Sequence, residues 1–196
     1  MASTTNMYRV EPLRTQEEIE EMKLALKRGN KGLPKRRDLA DRDVLLFLIG
    51  INTGMLVNDL VRLKVGDVRE QKVFTIREGK TRKKREIYLH MLQSEIQQYT
   101  AEKHDQDFLF PSQKGTEAIS TTQVYRVLTD AADLMGREDI GTHTMRKSFG
   151  YHYYKQFKDV AILQEIFHHA APNITKRYIG IRQDEINDSL NDFRLR

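Results

Sequence analysis

Two side chains suited to binding phosphate stand close together in the run Gly141-Thr-His-Thr-Met-Arg-Lys-Ser148. His143 and Arg146 are three residues apart where a helix is predicted to begin, so both project from one face of its first turn. The free N–H groups and the positive dipole end of that turn attract anions. A guanidinium can hold two phosphate oxygens, and an imidazole can donate or accept a proton. The run therefore predicts a phosphate-handling pair.

A second group of charged residues is a basic run. Residues 80–85 read Lys-Thr-Arg-Lys-Lys-Arg, five cations in six positions. The whole chain has 33 Lys and Arg against 28 Asp and Glu, for a net charge of +5. Because this short run alone carries five cations, the positive charge is concentrated locally. Such a run favours a polyanionic partner, although a solvated turn has the same composition.

Composition excludes several classes of protein. The chain has 196 residues, of which 39% are hydrophobic, which suits one domain with a core of its own. Cysteine is absent, which excludes disulfides and thiolate zinc sites and fits a reducing cytoplasm. The start of the chain shows no apolar signal segment, and no stretch is long enough to span a membrane. His168 and His169 are adjacent and should point apart, so no metal site is predicted.

The elements that must position these groups are predicted to be mainly helices with one small antiparallel β-sheet, an α+β fold. Residues 1–14 are expected to be a flexible N-terminal arm, and 29–37 a basic loop. A capping-box pattern opens a helix at Thr15 that runs to about Arg28. The apolar stretch 41–52 predicts a buried helix that Thr53-Gly54 ends. The remaining predictions are a short helix at 57–63, strands at 72–77 and 85–89, and helices near 91–103, 121–135, 144–157, 159–167, 172–179 and 183–192.

In order and separation, four blocks resemble the catalytic domain of the tyrosine recombinase (phage integrase) family. The resemblance covers nearly the whole chain from Arg42 onward and places the domain at 15–196. The blocks are Thr53-Gly-Met-Leu-Val-Asn-Asp-Leu60 with Leu63-Lys-Val-Gly-Asp-Val68, Glu78-Gly-Lys-Thr81, His143-Thr-Met-Arg146, and Phe167-His-His-Ala170 leading to Thr175-Lys-Arg-Tyr-Ile-Gly180.

The resemblance implies a site-specific DNA recombinase or integrase that cleaves and rejoins strands through a 3′-phosphotyrosyl intermediate, with neither a metal nor a cofactor. Matched by position, Tyr178 corresponds to the nucleophile, and Arg146, His143, Lys80 and His169 to the residues around the phosphate. The basic residues after the hairpin lysine are expected to bind nucleic acid: Arg82, Lys83 and Lys84.

Each side chain suits its implied role chemically. Negative charge accumulates on phosphate oxygens in the transition state, and Arg146 would neutralise it. Lys80 is suited to protonating the departing 5′ oxygen. His143 would accept the phenolic proton of Tyr178 or hold a non-bridging oxygen, and His169 would hydrogen-bond the phosphate. Alone, each also has a plain structural interpretation, such as a packing tyrosine or a helix-start ion pair.

One position departs from the family pattern. The first active-site arginine normally follows Thr-Gly-x, and this chain has Leu56 there. Losing one charged donor to the transition state commonly costs roughly 10²–10³-fold in rate. Arg62 is the nearest later arginine, but a continuous helix would rotate it away from the direction of Leu56. Leu56 therefore fits an inactive relative, a deliberately disabled chain or a slow enzyme. Two alternative functions stay open: a catalytically inactive DNA-binding regulator and a relaxing topoisomerase-type transferase.

The expected partners follow from the same resemblance. They are double-stranded DNA and further copies of the chain in a tetrameric synapse, with neither a membrane nor a small-molecule substrate. The last helix, Asp184 to Phe193, resembles the segment that family members pass to a neighbouring subunit. Only about 40 residues precede the core, which fits a short recombinase like the fimbrial-switch invertases or an excised catalytic domain. The expected location is the cytoplasm, in association with the nucleoid, for a protein of a mobile element encoded by a bacterium or a phage.

Overall fold

Helices dominate the computed structural model, which describes residues 10–28, 37–79 and 82–194. The bounds of the elements, in chain order, are α1 Gln16–Arg28, α2 Arg37–Thr53, α3 Val57–Leu60, α4 Val65–Val68, β1 Val73–Arg77, β2 Lys84–Tyr88, α5 Gln93–Thr100, α6 Thr121–Leu134, α7 Thr142–Phe157, α8 Val160–Phe167, α9 Pro172–Tyr178 and α10 Ile181–Asp192. A 3₁₀ turn, His90–Leu92, leads into α5. The predicted α+β class with a small antiparallel sheet is confirmed.

Helix α2 is the centre of the main hydrophobic core. It packs against α1, α5 and α7, and Phe47 and Ile49 on it are completely buried. Full burial of one such side chain stabilises a fold by about 1.5–3 kcal/mol. Gly54 follows the helix with φ +62°, a left-handed conformation that favours glycine. The chain therefore turns sharply after Thr53, as predicted from the sequence.

The two strands form an antiparallel hairpin. Val73 pairs with Tyr88 at one end and Arg77 with Lys84 at the other. Successive side chains of β2 alternate between exposed and covered positions, so Arg85 and Ile87 share the covered face. An arginine therefore points in the same direction as a core isoleucine.

A second, smaller cluster joins the C-terminal helices. Its buried members are Tyr151, Tyr154, Leu163, Phe167, Ile179 and Ile181. Lys158 and His168 end α7 and α8 in the left-handed conformation, with φ 57° and 54°. Pro172 opens α9, where its missing N–H has no helical partner to lose. These breaks let side chains from α7 to α10 meet in one cluster.

The flexible arm predicted at residues 1–14 includes a segment that is ordered in the structure. Residues 1–9 lie outside the described residues, but 10–14 are packed against the body. Leu13 is completely buried, and its N–H donates to Ser148 Oγ at 2.8 Å. The Glu11 N–H donates to the Asp139 carbonyl at 2.8 Å. An apolar side chain and backbone pairing therefore fix this segment. The predicted basic loop at 29–37 lies almost wholly outside the described residues.

The short helix predicted at 57–63 is shorter in the structure, because α3 ends at Leu60. The Leu63 carbonyl accepts the N–H of Leu109 at 2.8 Å, and Lys64 forms an isolated antiparallel bridge with Phe108. Pairing with this distant segment holds residues 63 and 64 in extended backbone. Within the described part of the chain, no helix has the length and apolar character needed to cross a bilayer.

Candidate active site

The first turn of α7 positions His143 and Arg146. The Thr144 hydroxyl accepts the N–H of Gly141 at 3.0 Å and closes the start of the helix. Arg146 is 5% exposed, donates from Nη1 to the Gly54 carbonyl at 2.5 Å and lies 4.4 Å above the ring centre of Phe167. Burial lowers the pKa of Arg146 below its usual value, which Tyr178 and nearby carboxylates oppose. The guanidinium is therefore fixed before any substrate arrives.

Tyr178 ends α9 with its hydroxyl oxygen 3.2 Å from His143 Nδ1. Its ring packs edge-on against Phe167 and His169, with centroid separations of 5.6 and 5.2 Å. Burial raises the pKa of the Tyr178 phenol to about 12, against the opposing effect of Arg146. The phenol is thus neutral at rest and adjacent to a base.

The two neighbouring histidines face different partners. His169 Nδ1 lies 3.0 Å from Thr175 Oγ1, beside Tyr178. His168 has left-handed backbone, and its Nε2 lies 3.2 Å from a carboxylate oxygen of Glu78. His169 therefore belongs to the pocket of the tyrosine, while His168 joins α8 to the base of the hairpin.

The hairpin is described only in part. Lys80 and Thr81 lie outside the described residues, so the role of Lys80 stays a prediction. Gly79 lines the same cavity as His143 and Arg146, which brings the hairpin base to the site. The predicted DNA-binding residues Arg82, Lys83 and Lys84 are exposed at the hairpin turn and the start of β2.

An open cavity of about 840 Å³ lies in front of α7. Its lining includes Leu56, His143 and Arg146 together with Thr121 and Thr142, the first residues of α6 and α7. Residues at the start of two helices therefore line one cavity, and helix starts favour anions. Leu56 is half-buried in this wall and offers the anion no donor.

Arg62 lines the same cavity, contrary to the expectation that a helix would rotate it away. The expectation fails because α3 ends at Leu60 and residues 61 and 62 form a turn. Sequence reasoning could have found Arg62 only by placing the end of that helix correctly.

A buried charged cluster that lies beside the site was not predicted from the sequence. Arg85 Nη2 donates to the Thr53 carbonyl, and Arg85 Nη1 lies 3.5 Å from Glu78, which is 1% exposed. Burial and the nearby charge of Arg146 lower the pKa of Arg85 to about 10. Arg85 and Arg146 thus hold adjacent carbonyls of one turn, at Thr53 and Gly54. The alternation of exposed and covered side chains along β2 could have revealed this cluster, because it places Arg85 on the same face as the buried Ile87.

Lys147 is a further cation near the tyrosine. Its Nζ donates to the Val10 carbonyl at 2.6 Å and lies 5.3 Å from the ring centre of Tyr178. Burial lowers the pKa of Lys147. The packed segment at 10–14 therefore borders the pocket of the tyrosine.

Comparison with known proteins gives consistent matches. Residues 15–185 match the phage integrase family. The probable integrase/recombinase YoeC of Bacillus subtilis is 43% identical over 179 residues, which cover 91% of this chain and 93% of YoeC. The tyrosine recombinase XerA of Pyrococcus furiosus is 30% identical over 168 residues, covering 83% of this chain and 57% of XerA.

The fold is also that of solved recombinase structures. The XerH site-specific recombinase bound to its difH substrate, in a pre-cleavage complex, aligns with a TM-score of 0.64 and 25% identity. That alignment covers 90% of this chain and 53% of the XerH chain. The chain thus spans almost all of YoeC but only about half of the Xer proteins.

Proposed function

The chain belongs to the phage integrase family, and we propose that it is a site-specific DNA strand transferase whose nucleophile is Tyr178. One observation carries the proposal: the phenol of Tyr178 lies 3.2 Å from His143, which lines one cavity with the buried Arg146. A nucleophile, a base and a fixed cation converge within one chain, as phosphoryl transfer requires.

The reaction begins with attack of the Tyr178 hydroxyl oxygen on a DNA phosphorus. The phenolic proton passes to His143 Nδ1 as the new O–P bond forms, because the neutral phenol is a weak nucleophile. The bond from phosphorus to the 5′ oxygen breaks, and that oxygen takes a proton, for which Lys80 is the predicted donor. A 3′-phosphotyrosyl link and a free 5′-hydroxyl result. A 5′-hydroxyl of a partner strand then reverses each step.

Charge on the phosphate is held by groups already in place. Arg146 is fixed by the Gly54 carbonyl and the face of Phe167, so it needs little reorganisation as charge develops. His169 stands against the ring of Tyr178, from where it can hydrogen-bond the phosphate. Every step uses side chains of the protein alone, so we propose neither a metal nor a cofactor.

Double-stranded DNA is the proposed substrate, and the solved structure of the XerH recombinase bound to its difH substrate supports it. Arg82, Lys83 and Lys84 on the hairpin would contact backbone phosphates and make binding sensitive to salt. We propose action in the cytoplasm of a bacterium, which the YoeC relative supports.

We further propose that protomers assemble as a tetramer on two DNA sites, through α10. Apolar side chains on and just after this helix are exposed: Ile186 at 42%, Leu190 at 65% and Phe193 at 67%. Exposed apolar side chains of this size indicate a contact surface for a protein partner, here a second copy of the chain.

A nicked suicide substrate tests the proposal, since loss of a short strand traps the covalent intermediate. A pool of nicked duplexes with randomised cores provides the sites, and adducts are separated on denaturing gels. We expect adduct from the parent chain and from Tyr153→Phe, a matched change in the same hydrophobic cluster. Tyr178→Phe should give none. Adduct from Tyr178→Phe would refute the assignment of the nucleophile.

The alternative function is a non-catalytic DNA-binding regulator, which Leu56 in the cavity wall favours. The same pool separates the two functions. DNA binding without adduct, from both the parent chain and Leu56→Arg, would favour the regulator. Adduct from Leu56→Arg alone would identify a recombinase that Leu56 disables.

A further inference from the structure

One oxygen of a buried carboxylate in the cavity wall has no donor among the described residues. Asp59 is 8% exposed, and its Oδ1 accepts the N–H of Gly79 at 3.0 Å. Its Oδ2 is buried and has no hydrogen bond to any part of the chain that the structure describes. Leaving a buried carboxylate oxygen without a donor is costly, so this atom indicates a place for a cationic donor at the cavity.

Arg62 stands close to that carboxylate. A β-carbon placed on Gly79 would lie 3.2 Å from Asp59 Oδ1 and 3.3 Å from Arg62 Nη1, so both groups meet the same point of the hairpin base. The Arg62 side chain is exposed, and no ion pair or hydrogen bond of its guanidinium is found within residues 10–28, 37–79 and 82–194. An exposed guanidinium that lines the cavity can meet a substrate there.

We propose that Arg62 supplies the guanidinium that position 56 lacks: it binds the scissile phosphate beside Arg146 while Asp59 Oδ2 holds its other edge. The inference rests on the proposed strand transfer. A guanidinium carries five N–H donors in a planar fork, so one edge can face a carboxylate and the other a phosphate. The carboxylate orients the arginine, and the arginine provides a second positive charge to the transition state.

Arg85 is the other arginine near the site, but its guanidinium is already engaged. It donates to the Thr53 carbonyl and lies against Glu78, and its Nη1 is buried. Arg62 instead faces the open cavity that His143 and Arg146 line. Arg85 is accordingly a positioning residue for the turn at Thr53, and Arg62 is the group able to touch DNA.

Adduct formation on the nicked pool tests the proposal in the full chain. We expect Arg62→Gln to lower the rate roughly 10²-fold, the usual effect of removing one charged transition-state donor. The matched control is Arg28→Gln, which removes an exposed arginine at the end of α1 and should keep the parent rate. Leu56→Arg added to Arg62→Gln should restore the rate. Thermal unfolding of each variant checks that it is folded.

Two results would overturn the proposal. One is an equal rate for Arg62→Gln and Arg28→Gln. The other is a slow Arg62→Gln that Leu56→Arg does not restore, although Leu56→Arg alone is active. The second result would show that Arg62 acts somewhere other than at the charge that position 56 would supply.

A binding measurement separates this proposal from strand transfer itself. Tungstate, a tetrahedral oxyanion, is titrated calorimetrically into Tyr178→Phe, which cannot form an adduct. Adding Arg62→Gln should weaken tungstate binding roughly tenfold or more, and adding Arg28→Gln should leave it unchanged. The role of Arg62 is refuted, whatever the adduct assay shows, if the double variant Tyr178→Phe, Arg62→Gln binds tungstate as tightly as Tyr178→Phe. It is also refuted if Tyr178→Phe itself binds no tungstate. Weaker binding without adduct from any form refutes strand transfer alone.

Discussion

The buried phenol of Tyr178 predicts a loss of stability at high pH. Burial raises its pKa from 10.0 to about 12 in the folded protein. Above pH 10 the unfolded chain releases this proton while the folded chain retains it, so the unfolded state binds fewer protons. The free energy of unfolding then falls as pH rises. The contribution of Tyr178 is complete below pH 10 and is lost between about pH 10 and 12.

The size of the effect follows from the shift. Two pKa units correspond to about 2.7 kcal/mol in total, of which about 1.4 kcal/mol is lost by pH 11. Urea unfolding of the parent and of Tyr178→Phe at about pH 8 and pH 11 measures it, because phenylalanine has no proton to release. The difference between the two proteins should change by about 1.4 kcal/mol between these conditions, in favour of Tyr178→Phe.

The comparison needs a control for other groups that titrate at high pH. Tyr125→Phe, at a tyrosine that is 43% exposed, gives the background for losing a surface hydroxyl. If the difference between parent and Tyr178→Phe is the same at both pH values, the phenol is not held neutral by burial. At neutral pH a phenol with a pKa near 12 is ionised in roughly one molecule in 10⁵, so attack needs a base such as His143. Without the shift the ionised fraction at neutral pH would be roughly one in 10³, so the need for a base would be weaker.

Three further variants test separate parts of the site. His143→Ala should slow adduct formation roughly 10²–10⁴-fold, measured on the nicked pool, with an unfolding midpoint close to the parent's. Gly150→Ala should cost about 1–3 kcal/mol in urea unfolding, because its β-carbon would lie 2.6 Å from Ile179 Cγ2 beside the tyrosine. Arg85→Gln should cost roughly 3 kcal/mol by removing the guanidinium that lies 3.5 Å from the buried Glu78, and adding Glu78→Gln should recover part of it. No recovery would mean that the Thr53 contact alone explains the loss.

The helical framework was largely predictable because local signals specify it. The apolar run of α2 and the cap at Ser120, whose hydroxyl accepts the Gln123 N–H at 3.2 Å, each act within a few residues. The end of α3 was not predictable in this way. Val61 and Leu63 continue an apolar helical pattern, but the Leu63 carbonyl bonds to Leu109, far away in sequence. A contact between residues so far apart gives no signal in the local sequence.

The candidate site, too, was predictable only where short-range spacing determines the geometry. The spacing of His143 and Arg146 indicated a phosphate pair, because one helical turn brings them together. The contacts of Glu78 with Arg85 and His168 join the hairpin to the end of α8, and no spacing rule connects those segments. The location of Arg62 depended on a helix end that tertiary pairing decides.

The arrangement of charge bears on whether Leu56 marks a DNA-binding regulator. Affinity for DNA needs only exposed cations, which the hairpin supplies through Lys83 and Lys84. Burying Arg146 costs stability, and so does burying an oxygen of Asp59 that has no donor among the residues described; neither adds much to such affinity. A buried phenol directed at His143 adds nothing to it. Such costs are expected where the site must stabilise charge on a phosphate under attack, so the geometry favours a strand transferase. Leu56 slows that enzyme to the extent that another arginine does not replace the missing donor.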